Sequence, residues 1–303
     1  MRPKAFNPWS MLIGWVPVIL LPTVVFLTAP TRVPRWQVMW MLAFAVFAGV
    51  KWLTLTGSHI GKGATSQTTW SRILAYWIAW PGLDADAFLA VTPPPPVSPP
   101  QLREWMSAGV STLIGGLLFW GIARMVFPRS ELAAGWIGMT GFILFLHCGI
   151  LQTISCLWRA NGVDARSLMI APLFATSLSD FWGRRWNTAF RDLAHKFVFR
   201  PVIARWGSGV AMWCVFLFSG IVHDIVISGP TQQGYGCPTL FFLLQAAGIQ
   251  LERSAVGKWL GLTRSWRGWC FALLVLVLPA GLLFQPSFIT RIVLPTMRAA
   301  GAL

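Results

Sequence analysis

The sequence predicts an all-α fold: a polytopic integral membrane helical bundle of about seven to nine transmembrane helices, with an additional amphipathic helix in the interface. Three observations predict it. Of 303 residues, 55% are hydrophobic and 11% charged, and the mean hydropathy is +0.62, far from a soluble domain of this length. Six apolar runs (Met11–Ala29, Trp36–Leu55, Trp105–Phe127, Ala134–Leu157, Val202–Ser228 and Trp269–Phe284) approach the ~20 residues a helix needs to cross a bilayer. Nineteen tryptophans stand against two tyrosines, and Trp9, Trp36, Trp105, Trp158, Trp206 and Trp266 sit at segment ends, where an indole suits the lipid–water interface.

Taken in order, the first run follows Arg2 and Lys4 and so resembles a signal peptide. It lacks a convincing small-residue cleavage site and is followed by many further spans, so a retained helix is expected. Arg32 and Arg35 follow it, which leaves the side of the N-terminus open. His59 lies in a Gly/Ser/Lys loop and carries no signal. Ser71–Leu89, Ser167–Ser177, Thr239–Gln250 and Phe288–Met297 are shorter or less uniform, and read as tilted, re-entrant or interfacial segments. Pro93–Pro96 with Pro99 and Pro100 form a stiff polyproline connector over 93–100. It separates N-terminal helices (1–92) from a catalytic helical core (101–303) within a single membrane-embedded domain spanning 1–303. Gly135, Gly138 and Gly141 recur every three residues in one span, a pattern that lets helices approach closely. No internal repeat of the inverted-transporter kind is visible.

The net charge of +15 marks cytoplasmic loops and anionic head groups in a chain this apolar, and nucleic acid is not an expected partner. Arg184, Arg185, Arg191, Lys196, Arg200 and Arg205 crowd one linker whose only acids are Asp180 and Asp192, which puts this stretch on the cytoplasmic side. Cys148, Cys156, Cys214, Cys237 and Cys270 are odd in number and lack CxxC spacing. They read as packing residues, with no disulfide frame and no metal site.

The same linker carries the marks of an amphipathic helix. Ser179 is a plausible N-cap with Asp180 in the first turn, and Pro201 ends the run. Trp182, Trp186, Phe190, Leu193 and Phe197 form one face at helical spacing, and Asp180, Arg184, Asn187, Arg191 and His195 the other. Two readings weigh equally: a peripheral anchor whose arginines meet lipid phosphates, or a site whose basic residues hold the phosphates of a soluble anionic cofactor while Asn187 points toward chemistry in the bilayer.

The second constellation is His223-Asp224, inside the apolar stretch Val210–Ile227. A charge at the centre of a membrane helix costs roughly 2.5–3.5 kcal/mol on insertion scales, so such residues face a cavity, a partner or a substrate. A reactive imidazole is the leading idea. Asp224 is either its partner or a hydrogen bond to another helix, since adjacent helix positions point apart. Ser219, one turn before His223, is placed to bond the imidazole in a structural role. His147, beside Cys148 in an apolar span, reads as a packed core histidine, and His195 as solvated or cofactor-adjacent. No GxSxG nucleophile is present, which favours direct transfer without an acyl-enzyme.

These residues carry a resemblance. Ser-Leu-Ser-Asp-Phe-Trp-Gly-Arg-Arg-Trp-Asn (177–187) paired with Phe-Ser-Gly-Ile-Val-His-Asp (218–224) is similar to the membrane-bound O-acyltransferase superfamily, with the wax synthase branch nearest. Tyr76–Phe88 (YWIAWPGLDADAF) resembles a Trp-Pro-Gly-x-Asp segment of that branch, so the likeness runs from Tyr76 to Asp224. The resemblance implies that His223 and Asn187 are the signature active-site pair. It also implies a fatty acyl group moving from acyl-CoA to the hydroxyl of a lipophilic acceptor such as a long-chain alcohol, with no permanently bound cofactor. The chain is short beside many members, which leaves the acceptor open among long-chain alcohol, sterol and diacylglycerol. Its length and lack of a targeting tail favour the bacterial inner membrane over the endoplasmic reticulum.

Chemistry agrees with that implication. Making an ester from a thioester needs a base to take the alcohol proton, and imidazole at His223 suits the task. Asn187 either donates its amide N–H to the developing oxyanion or orients the acceptor hydroxyl. Arg184, Arg185 and Arg191, with Trp186, are the candidates for binding the coenzyme A part of the donor. Two other classes stay open: a haem protein ligated by His147 and His223, which would purify red, and a transporter using His223-Asp224 as a proton relay.

Overall fold

The structure, a computed structural model, describes residues 8–58, 69–90 and 97–303. Arg2, Lys4, His59 and Pro93–Pro96 lie outside the described residues. Every regular element among the described residues is helical. They are α1 (Pro8–Thr28), α2 (Arg35–Thr56), α3 (Trp70–Ile78), α4 (Ala85–Leu89), α5 (Leu102–Val126), α6 (Glu131–Ala160), α7 (178–185), α8 (Thr188–Thr231), α9 (Cys237–Arg253), α10 (Ala255–Trp259), α11 (Trp266–Leu283) and α12 (286–299).

Five of these (α2, α5, α6, α8 and α11) are long and apolar enough to cross a membrane, and Ile13–Thr28 within α1 is a shorter apolar helix. The protein is therefore an integral membrane helical bundle. The expected seven to nine crossings are not reached by helices of this kind, for reasons visible in the shorter segments. Ser71–Leu89 splits into α3 and α4 at Trp80-Pro81-Gly82, and Ser167–Ser177 is irregular apart from one 3₁₀ turn at Pro172–Phe174. α9 buries Gln245 and Glu252 inside the protein, and α12 buries Ile289, Ile292, Leu294 and Met297.

The glycine spacing on α6 does what close packing requires. A Cβ at Gly135 or Gly138 would run into Ile289 or Met297 of α12, and one at Gly141 would sit 2.8 Å from the backbone of α5. Two apolar cores result. One gathers α5, α6, α9, α11 and α12, and the other packs Val50, Leu53, Tyr76, Trp80 and Phe88 against Leu193 and Phe197 of α8.

Lys51 ties the second core together. Its fully buried ammonium donates to the carbonyls of Tyr76 (2.7 Å), Trp80 (2.7 Å) and Gly82 (2.6 Å) and lies 3.5 Å from the centroid of the Tyr76 ring. It holds the end of α3 and the Trp-Pro-Gly turn by carbonyls that the turn leaves without helical partners.

The linker does not form the single amphipathic helix expected between Ser179 and Pro201. Ser177, and not Ser179, is the N-cap of α7, its hydroxyl accepting from the Asp180 amide at 3.0 Å. α7 closes in a π-helical turn at Phe181–Arg185, and the chain breaks at Trp186–Asn187. Asn187 takes a left-handed conformation (φ 42°) and caps α8, its Oδ1 accepting from the Phe190 amide at 3.1 Å. Pro201 does not end the helix either. A π-helical turn at His195–Phe199 precedes it and absorbs the missing N–H, and the real break comes at Gly207 (φ 79°, ψ 172°).

Candidate active site

A cavity of about 380 Å³ opens between α7, both halves of α8 and α9. Along the second half of α8, Ser208, Met212, Val215, Phe216, Ser219 and His223 face it at helical spacing. α9 contributes Phe242, Ile249 and Arg253, and α7 contributes Ser179, Trp182 and Gly183. The break between α7 and α8 adds Trp186 and Asn187, and the first half of α8 adds Phe190, Arg191, Ala194, His195 and Phe199. Aromatic contacts stiffen the walls: Trp182 meets Phe216 and Phe242 at 5.8 and 5.5 Å, and its indole donates to Gln245 at 3.3 Å.

His223 lies against Phe242, ring centroids 4.5 Å apart. Its Nδ1 is 2.7 Å from the Ser219 carbonyl. A carbonyl only accepts, so that contact assigns the proton to Nδ1 and leaves Nε2 with the lone pair. Ser219 thus orients the imidazole through its backbone, while its hydroxyl donates to the Val215 carbonyl at 2.9 Å.

Asn187 has its Oδ1 committed to the cap of α8, and its backbone N–H points to the Met169 sulfur at 3.3 Å. The side-chain NH₂ is the group left for a ligand. The left-handed backbone that bends the chain here also brings Asn187 to the wall that His223 shares.

Asp224 turns away from the imidazole toward the N-terminus of α9. Its Oδ1 accepts from the Gly236 amide and the Ser228 hydroxyl, both at 2.9 Å, and its Oδ2 accepts from the Thr239 amide at 3.1 Å and from the Thr239 hydroxyl. A carboxylate there satisfies amides that α9 cannot bond internally. Of the two roles open from sequence, the hydrogen bond to another helix is the one observed.

The basic residues divide. Arg184 and Arg185 bind the two oxygens of Asp180 at 2.9 and 2.6 Å, and neither lines the cavity. Burial by itself would raise the Asp180 carboxyl, but the hydrogen bonds from Arg185 and the Thr176 amide, with both arginine charges, hold it below its ordinary value of 3.8. Arg191 does line the cavity, with its guanidinium shared between Asp192 (2.6 Å) and the Gly183 carbonyl (2.8 Å). Trp186 lines it too, stacked on Phe181 at 5.5 Å. His195 lines the cavity with its ring against Phe199, whereas His147 is outside the lining, its ring against Trp186. No group of three or more His, Cys, Asp or Glu is disposed to hold a metal among the described residues.

Two participants escaped the sequence reading. Glu252, 2% exposed, accepts from the amides of Leu178 (2.7 Å) and Ser179 (3.1 Å) and so caps α7 from α9. Arg253, its neighbour, lines the cavity. Both sit at the end of a run that reads as a short apolar segment finishing in two ordinary surface charges, and no local signal distinguishes them.

Comparison with known proteins agrees with this core. The family described as "Membrane bound O-acyl transferase family" matches residues 165–244, which include Asn187 and His223. The chain is 30% identical over 161 residues to "Probable long-chain-alcohol O-fatty-acyltransferase 7" of Arabidopsis thaliana, covering 48% of this chain and 45% of that protein. It is 33% identical over 144 residues to "Probable long-chain-alcohol O-fatty-acyltransferase 9" of the same plant, covering 43% and 42%. With the "Long-chain-alcohol O-fatty-acyltransferase" of Simmondsia chinensis it shares 29% identity over 110 residues, covering 32% and 31%. The chain thus spans less than half the length of these curated relatives. The likeness to the wax-synthase-like branch of membrane-bound O-acyltransferases is borne out over that core.

Proposed function

We propose that this chain is a membrane O-acyltransferase of the wax-synthase-like type, moving a fatty acyl group from acyl-CoA to the hydroxyl of a lipophilic acceptor such as a long-chain alcohol. The observation that carries the reading is that Asn187 and His223 line one cavity, with an imidazole whose Nδ1–H is held and an asparagine whose carbonyl oxygen is already used. That leaves one acceptor, Nε2, and one donor, Nδ2–H, to act on a ligand.

Nε2 of His223 takes the proton from the acceptor hydroxyl as its oxygen attacks the thioester carbonyl. The Nδ2–H of Asn187 bonds the oxyanion that forms. Collapse breaks the C–S bond, and the proton returns from the imidazolium to the departing thiolate. The products are an ester and free thiol, with no acyl-enzyme. The apolar wall of Trp182, Met212, Phe216 and Ile249 keeps water away from the thioester donor. Arg191 and Trp186 contact the donor. The whole of 1–303 works as a single membrane domain, with the basic linker on the cytoplasmic side. The relatives named above are plant proteins and lend no support to a bacterial inner membrane.

Radiolabelled acyl-CoA turnover in membranes, with pooled fatty alcohols, sterols and diacylglycerols, tests the proposal. Ester formed by the wild type and reduced by about 10²–10⁴-fold in a folded His223→Ala variant is the expected result. Ester formation untouched by the substitution removes His223 as the base.

A further inference from the structure

We propose that Arg253 receives the phosphate-bearing end of the thioester donor at the end of the cavity remote from His223. The proposal rests on the acyltransferase reading above and deepens it by assigning the donor's anionic subsite to a residue outside the basic linker.

The register of α8 and α9 sets the distance. On α8 the lining runs from Ser208 to His223, which at 1.5 Å per residue is about 22 Å along the axis. α9 runs antiparallel to it. Asp224 binds the amides of Gly236 and Thr239, and a Cβ at Gly220 would sit 2.6 Å from the Thr239 Cα, so α9 begins at the level of His223. From Thr239 to Arg253 the helix rises about 21 Å. Arg253 therefore stands level with Ser208, at the opposite end of the same cavity from the imidazole. An extended pantetheine arm reaching from phosphate to thioester needs its anion held at a remove of this kind, and not beside the base.

The chemistry changes along that length. The middle is apolar, with Trp182, Met212, Phe216 and Ile249, while the Arg253 end has Ser179, hydrogen-bonded to Arg253, and Ser208, level with it on α8. Of the two arginines lining the cavity, Arg191 is engaged by Asp192 and by the Gly183 carbonyl. Arg253 makes one hydrogen bond, Nε to the Ser179 hydroxyl at 3.2 Å, and has no carboxylate partner among the described residues. Its neighbour Glu252 is turned inward onto the amides of α7 and does not neutralise it. An exposed guanidinium with free N–H donors at the mouth of a largely apolar slot is matched by a phosphate or pyrophosphate. Lipid head groups present the same chemistry, and the experiment separates the two sources.

The full chain is reconstituted in phosphatidylcholine nanodiscs, and initial rates are measured for acyl-CoA and for the same acyl group on pantetheine, which lacks the phosphates. Arg253→Gln should raise the KM for acyl-CoA by about tenfold or more while leaving kcat and the acyl-pantetheine KM within twofold, and Arg253→Lys should recover part of the loss. An equal loss with both donors, or none with either, overturns the proposal. So does an Arg253→Gln effect that appears only when anionic lipid is added, because the guanidinium then serves the bilayer. If the wild type makes no ester at all, the acyltransferase reading fails. Arg253 is then judged by coenzyme A binding alone: a thermal shift in the wild type that Arg253→Gln abolishes upholds the anion subsite, and no shift overturns it.

Discussion

Glu252 supports the site without touching it. Its carboxylate bridges from α9 to the first amides of α7, the helix that ends one residue before Trp186 and Asn187. Alanine at this position leaves two amides without a partner, one of them on fully buried Leu178. Hydrogen bonds to a charged group are worth about 1.5–3 kcal/mol each, so losing both in Glu252→Ala should destabilise the protein by about 3–6 kcal/mol. Glu252→Gln keeps one acceptor oxygen and gives up the charge at the helix N-terminus, a loss of about 0.3–2 kcal/mol. The ordering alanine much worse than glutamine is the signature of a cap, since a carboxylate needed for its charge would suffer equally in both. Thermal unfolding in detergent, followed by tryptophan emission, measures the stability difference. Turnover of the folded Glu252→Gln protein measures whether kcat falls while the acyl-CoA KM holds, as expected when the Asn187 donor is displaced. A Glu252→Ala protein within about 1 kcal/mol of wild type, or equal to Glu252→Gln, would refute the reasoning.

Asn187→Asp retains an oxygen for the Phe190 amide and a side chain that tolerates the left-handed backbone, but removes the NH₂ donor. Its unfolding midpoint should match the wild type while kcat falls about 10²–10³-fold in the ester assay, and a retained rate would exclude the oxyanion role. Asp180 is held below its ordinary carboxyl value, so its stabilisation is complete above the unfolded value near 3.8 and is lost as pH falls through the lower folded value. The unfolding midpoint of Asp180→Asn should therefore lie below wild type at pH 5–7 by a constant margin that narrows below about pH 4, and a margin that grows on acidification would contradict the ion-pair assignment.

The long apolar runs were legible because lipid solvation acts on each segment by itself. All six fall on helices, and five of those helices have the length and apolarity of a span. The glycines of α6, the basic linker and the motifs that carry Asn187 and His223 were readable for a related reason, since each is a local pattern of residue types. The linker's internal break was not readable. Helical spacing continues unbroken through Trp186 and Asn187, and only the neighbours Met169, Leu168 and Glu252 make it better to stop α7, bend at Asn187 and start again. The same limit hid which arginines are free, because Asp180 claims Arg184 and Arg185 only once α7 has formed. Sequence by itself determined that this is a helical membrane protein with an imidazole inside an apolar helix and an upstream asparagine. Tertiary structure alone decided that Asp224 caps α9, that Glu252 caps α7 and that Arg253 shares the cavity with His223, because backbone amides and charges find their partners across helices far apart in the chain, where no periodicity records the pairing.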